Sequence, residues 1–149
     1  MTGPVIRRAV ADRWLDRAHE RFAAEGLRIG AARARALDVI ARDATCLVSV
    51  LDLVSAVRNQ GGAGSQASVY RVVEQAHRLG LLRRELGADG VVRYEIVLPD
   101  LHHHHLVDDT TGTTVPFVDD DLERALAQAA RRLGVHMTSH EVRIHGVPR

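Results

Sequence analysis

Lysine is absent from this sequence: all 20 basic residues are arginine, set against 19 acidic residues for a formal net charge of +1. Genome composition produces such a bias as readily as selection for phosphate contacts, so the bias selects no partner by itself. Cysteine is nearly absent too. Cys46 stands alone, which excludes an intrachain disulfide and any four-thiolate zinc site. No apolar run approaches the roughly 20 residues of a membrane span. The N-terminal stretch MTGPVIRRAVADRW interrupts its apolar residues with arginine and aspartate, so no signal peptide is visible and a cytoplasmic location is expected. The GGAG segment at 61–64 lacks the lysine of a phosphate-binding loop, and no Ser/His/Asp order stands out, so enzyme chemistry is not expected. What remains is a chain of 149 residues, 46% hydrophobic, enough for one ordinary domain or two small lobes.

The near-zero net charge conceals an asymmetry. Residues 1–99 hold 15 arginines against 11 acidic residues, and residues 100–149 hold 5 against 8. A basic front half and an acidic, histidine-rich back half suit an anionic polymer at one end and a cation at the other. Residues 12–25 place Trp14, Leu15, Ala18, Phe22 and Ala23 on one face at helical spacing, with Gly26 as a stop. A second helix over about 31–42 would bury Leu37, Ile40 and Ala41, and a third, from Ser49 to about Arg58, Leu53, Val54 and Val57. Ser65 is a good N-cap for a fourth over about 66–79, with Val69, Val72, Val73, Ala76 and Leu79 as its apolar stripe. Two β-rich runs, LLRREL and VVRYEIV, follow around GADG, a hairpin signal. Helices followed by a hairpin are the order of a winged helix.

Pro99, between Leu98 and Leu101, marks the expected hinge, dividing the chain into 1–98 and 99–149. Beyond it, strands are expected near 103–107, 113–118 and 136–145, with a helix over about 120–133 between the last two. Asp119–Asp121 complement that helix's N-terminal dipole, Arg131 and Arg132 its C-terminal end, and Leu122, Leu126, Ala129 and Leu133 form its expected buried stripe. The fold class is therefore α+β: a winged helix with an extra N-terminal helix, then a β-β-α-β domain. A unit that small cannot bury both faces of its sheet alone, so pairing with a second copy is a physical expectation.

The run His102-His103-His104-His105 carries the strongest chemical signal. In a strand, alternate residues face opposite sides, so His102 and His104 point one way and His103 and His105 the other. One run can thus feed two sites. Imidazoles completed by carboxylates make an N/O site for zinc, nickel, copper or iron(II). Further candidate ligands are Glu95, Glu123, His136, His140, His145 and Cys46, although a glutamate in a first helical turn is ordinarily dipole compensation. On the fourth helix, Gln66, Ser68, Tyr70 and Arg71 are placed to meet base edges and phosphates, and Arg28, Arg33 and Arg35 form a second basic cluster.

Taken together, SQASVYR at 65–71, RYE at 93–95, HHHHL at 102–106 and H-x-x-x-I-x-G at 140–146 resemble the ferric-uptake-regulator (Fur) superfamily. Gly26-Leu27-Arg28 followed by Arg33 is similar to that family's approach to the second helix, where the basic residue reaches the minor groove. The resemblance implies a DNA-binding domain with Arg28, Ser65, Gln66, Ser68, Tyr70 and Arg71 at the duplex, and a dimerisation domain. It implies a first metal site of His102, His104, Glu123 and His140. A second, inter-domain site is matched by Glu95, His103 and His105, with Cys46 as a substitute ligand, since Leu47 stands where a histidine is common and Pro116 where an acid is common. Asp108-Asp109-Thr110-Thr111 replaces the usual C-x-x-C, so no cysteine-bound structural zinc is expected and packing alone would hold that lobe. The implied function is a metal-responsive repressor binding palindromic operator DNA as a homodimer, with no membrane partner. Zinc is the first choice of metal, with iron(II), manganese and nickel open. The alternative is a constitutive DNA-binding protein with one structural metal.

Overall fold

A computed structural model of the chain describes residues 4–61 and 65–149, so the first three residues of the N-terminal stretch and most of the GGAG break lie outside the described residues. The chain separates into two compact units, Thr2–Leu101 and His102–Arg149.

The N-terminal unit runs α1 (Pro4–Ala24), α2 (Ala31–Asp43), β1 (Val48–Ser49), α3 (Val50–Asn59), α4 (Gln66–Arg78), β2 (Leu82–Leu86) and β3 (Val92–Ile96). Helix α1 starts earlier than the periodicity predicts, at a proline whose fixed φ suits a first helical turn. The earlier start adds Ala11 to the buried row formed by Trp14, Ala18 and Phe22, whereas Ala23, also expected on that face, is exposed. Leu37, Ile40 and Ala41 of α2, Leu53, Val54 and Val57 of α3, and Val69, Val72, Val73 and Ala76 of α4 join the same core. Ser49 and Ser65 cap α3 and α4 by accepting hydrogen bonds from the backbone N–H groups of Asp52 and Ser68.

The hairpin β2–β3 forms with Leu82 opposite Ile96 and Leu86 opposite Val92, and the Asp89 carboxylate fastens its tip to the Val91 N–H and both terminal nitrogens of Arg93. These bonds, led by the one to Arg93, hold the Asp89 carboxyl down at about 2. Strand β1, which the sequence reading lacks, pairs Val48 with Tyr94 and makes the sheet order β1-β3-β2. At two residues it is too short to show any periodicity. Three helices packed on this small sheet, preceded by α1, complete a winged helix.

The C-terminal unit contains β4 (His104–Asp108), β5 (Thr114–Phe117), α5 (Asp120–Arg132) and β6 (Arg143–Gly146), in sheet order β5-β4-β6. Strand β5 runs antiparallel to β4, and β6, reached through α5, runs parallel to it. The last strand is shorter than expected, because its ladder reaches only the four β4 residues His105–Asp108. Asp119 caps α5 by accepting from the Leu122 N–H at 2.9 Å.

The expected buried stripe of α5 is not buried. Leu122, Leu126 and Ala129 are half-exposed, and Leu133 is 77% exposed. Among the described residues, the buried groups of this unit are His103, His104 and His105, the last two fully so, and no apolar side chain is among them. A unit of this size has too little interior to cover a helix face unaided.

Where the resemblance places zinc cysteines, hydrogen bonds close the β4–β5 turn. The Asp108 carboxylate accepts from the Thr110 N–H at 2.8 Å and the Thr111 hydroxyl at 2.9 Å, and Asp109 pairs with His145 Nδ1 at 2.9 Å. These hydrogen bonds supplement the packing expected to hold this lobe.

Candidate metal centre and nucleic-acid interface

The histidine run separates into the expected pairs, although only His104 and His105 lie in β4 and His102 and His103 precede it. The rings of His102 and His104 meet edge to face at 4.8 Å, and those of His103 and His105 at 4.9 Å. On the first side, α5 brings Glu123 from its first turn and the segment before β6 brings His140. His104 Nε2 lies 2.7 Å from Glu123 Oε1, His140 Nε2 lies 3.1 Å from Oε2, and His102 Nε2 lies 3.0 Å from His140 Nε2. All four ligand atoms fall within 4.8 Å of one another. Glu123 therefore does more than compensate the helix dipole: its carboxylate is the hub onto which three imidazoles converge.

The donor set fits a divalent cation. Ligand bonds of about 2.0–2.1 Å in a tetrahedron separate neighbouring donors by roughly 3.3 Å. The contacts of 2.7–3.2 Å that the imidazoles make with Glu123 need only a small expansion, within a set whose members all lie inside 4.8 Å of one another. Three neutral imidazoles and one carboxylate supply four lone pairs and one negative charge, a set suited to zinc and its intermediate neighbours.

The protonation states are arranged for this. Burial, reinforced by the neighbouring His140 and His104, outweighs the Glu123 charge and holds the His102 imidazole below its ordinary value of 6.5, which favours the neutral, ligating form. For Glu123, desolvation pushes the carboxyl up, but hydrogen bonds from His140 and His104 and the nearby charge of His140 and His102 prevail and leave it below 4.5. Both shifts act in one direction on stability. A histidine disfavoured as a cation and a carboxylate favoured as an anion each bind more protons unfolded than folded, so folding weakens as pH falls. The loss should begin below pH 6.5 for His102 and deepen below 4.5 for Glu123. Thermal melting of chelator-treated protein between pH 7.5 and 4 checks this, a flat profile being the contrary result.

The remaining candidate ligands come from both units. Glu95 is buried on β3, where the Arg83 guanidinium reaches its carboxylate from the facing position on β2. Cys46 is half-buried between α2 and β1. These two belong to the N-terminal unit, and the buried His103 and His105 to the C-terminal unit. His136 and His145 stand apart from the four-residue cluster.

For nucleic acid, α4 exposes Gln66, Tyr70 and Arg71 along one side, with Ser68 half-exposed. Ser65 is committed to its cap, and the Ser68 hydroxyl donates to the Ser65 carbonyl at 2.6 Å. Arg28 is exposed just before α2, while Arg33 donates to the Arg28 carbonyl and to Gln75 and lies over the Phe22 ring. Arg33 is thus tied to the fold, leaving Arg28 and Arg35, both exposed, as the freer cations of that cluster. A helix N-terminus with polar side chains on one face and a β-hairpin beside it is the geometry with which winged helices meet a duplex.

Comparison with known proteins agrees with both halves. A profile of the ferric uptake regulator family matches residues 24–145. The ferric uptake regulation protein of Rhizobium leguminosarum bv. viciae is 37% identical over 84 residues, which make up 56% of this chain and 58% of that protein. The protein of the same name from Escherichia coli K12 is 28% identical over 121 residues, 81% of each chain. The crystal structure of the Vibrio cholerae ferric uptake regulator superposes with a TM-score of 0.71 at 26% identity, over 87% of this chain and 98% of that one. A zinc-bound manganese uptake regulator gives a TM-score of 0.69 at 29% identity, over 89% and 98%. With the profile running from the end of α1 into β6, through the winged helix and the histidine-rich strand alike, the chain belongs to the ferric uptake regulator family.

Proposed function

We propose that this chain is a metal-responsive transcriptional repressor, cytoplasmic and without catalytic activity, that binds palindromic operator DNA as a homodimer. The observation that carries the reading is the convergence of His102, His104, His140 and Glu123 in a chain whose other unit is a winged helix. The metal would supply a fixed double positive charge that draws β4, α5 and the segment before β6 onto one point. Zinc is the first choice for a three-imidazole, one-carboxylate set, with iron(II), manganese and nickel as alternatives. Regulation then equals the difference in metal affinity between the DNA-competent arrangement and the others.

A second copy is supported by the surface of the C-terminal unit. Leu106, Val115 and Ile144 sit opposite one another across the three strands, and each is at least 40% exposed. With Leu133 and the α5 stripe also uncovered, the unit carries apolar surface that pairing would remove from water.

Fluorescence anisotropy on genomic fragments, with metal and with chelator, tests the reading. Affinity independent of metal would sink the sensing part. In the same assay Arg71→Ala should weaken binding by about 1–3 kcal/mol, as loss of a base or phosphate contact does, and an unchanged affinity would remove α4 from the interface.

A constitutive DNA-binding protein with one structural metal is the second reading, and it too has an observation in its favour. Glu95, a ligand of the implied second site, is already paired with Arg83. If metal raises the melting temperature but leaves DNA affinity unchanged, this second reading holds.

A further inference from the structure

Helix α4 carries an acid on the same side as the groups proposed to meet DNA. Glu74 is exposed, three residues from Arg71 and four from Tyr70, spacings that place all three on one helix face. A free carboxylate there would oppose the phosphate backbone that the arginines attract. It is not free: the Tyr94 phenol, from the central strand β3, donates to Glu74 Oε1 at 2.8 Å.

Tyr94 is well fixed for this task. It is 3% exposed, with Val48 on one side of it in the sheet and Arg84 on the other. One turn further along α4, His77 donates from Nδ1 to the Leu82 carbonyl at 3.0 Å and sets its ring against Tyr94 at 6.0 Å, near perpendicular. Positions 74 and 77 of α4 therefore clasp both β2 and β3. Burial and the Glu74 hydrogen bond push the Tyr94 phenol up to about 12, so it stays protonated and able to donate throughout the neutral range.

We propose that Tyr94 is a positioning residue for DNA binding, whose phenol draws the Glu74 carboxylate back against the wing sheet and away from the phosphates. The inference rests on the DNA-binding reading above and adds a role for a pair that touches no base. The restraint acts on charge rather than on base reading, so its loss should affect any duplex alike.

The test uses the full-length, metal-loaded protein with two labelled duplexes, a genomic fragment that it binds and a random sequence, well below the melting temperature of each variant. Tyr94→Phe keeps the ring and removes only the hydroxyl. It should weaken binding to both duplexes by about fivefold, the scale of one unit charge repelling another through water at close range. Glu74→Gln keeps an acceptor for the phenol and removes the charge, and should bind at least as tightly as wild type. The double variant Tyr94→Phe/Glu74→Gln should regain wild-type affinity. Unchanged affinity in Tyr94→Phe, or a loss that Glu74→Gln does not rescue, overturns the proposal, the latter by making the phenol a packing element only. If the wild-type protein binds neither duplex, the DNA-binding reading itself falls and the inference falls with it.

Discussion

Replacing His104 with alanine should lower metal affinity by at least about 100-fold, measured by competition with a chromophoric chelator. Groups that merely support metal ligands are worth 10–100-fold, so a ligand should sit at or beyond the top of that range. His104 is the member of the cluster with least freedom. It is fully buried, its Nε2 lies 2.7 Å from Glu123, and its ring packs on Phe117 with centroids 5.4 Å apart. Fixed this way, it gives up almost no rotamer entropy on binding a cation. His102 offers a useful contrast, because its side chain is 46% exposed and must be ordered by the metal. His102→Ala should therefore cost less than His104→Ala. Equal losses would mean that the cluster is not pre-organised around His104, and an affinity within about threefold of wild type in His104→Ala would remove it from the site.

The contrast between these histidines shows which part of the site was legible in the sequence. Strand alternation alone separates His102 and His104 from His103 and His105, and the rings pair that way. Nothing in the local pattern joins Glu123 and His140 to them. Glu123 looks like dipole compensation and His140 like an isolated polar residue, and only the family resemblance put them together. Their convergence depends on the crossover that lays β6 beside β4, which is tertiary information.

The winged helix was legible for a different reason. Most of its stripe residues are buried, serines cap α3 and α4, and its core closes within the unit. The α5 stripe has the same periodicity and still stays half-exposed, because periodicity reports what a helix could bury and not whether anything covers it. The Arg83–Glu95 pair was missed because the turn hides it: counting outward from an Asp89-Gly90 tip would set Arg83 opposite Ile96, whereas the ladder that closes at Leu86–Val92 sets it opposite Glu95. Tyr94 and Glu74 had no comparable signal, since nothing in the spacing of α4 and β3 fixes which residues touch.

Trp14→Ala should destabilise the N-terminal unit by about 3–5 kcal/mol, the usual cost of emptying a buried aromatic site. Trp14 is fully buried, and its indole N–H donates to the Leu81 carbonyl at 2.8 Å, joining α1 to the corner between α4 and β2. Arg21 reinforces that corner by donating to the Leu79 carbonyl at 3.1 Å. Two costs can be separated here. The Leu81 carbonyl also accepts from the Val97 N–H at 2.9 Å, so removing the indole does not orphan it. Trp14→Phe, which keeps most of the apolar volume, should therefore cost well under half as much as alanine, because the hydrogen bond itself is worth only about 0.5–1.5 kcal/mol net. Urea denaturation followed by circular dichroism measures both variants. The same variants separate α1 from the DNA interface: with the protein still folded, Trp14→Phe should bind DNA as wild type does. A large loss of DNA affinity in a fully folded Trp14→Phe protein would instead make α1 part of the reading surface, which its anchoring at the root of the hairpin argues against.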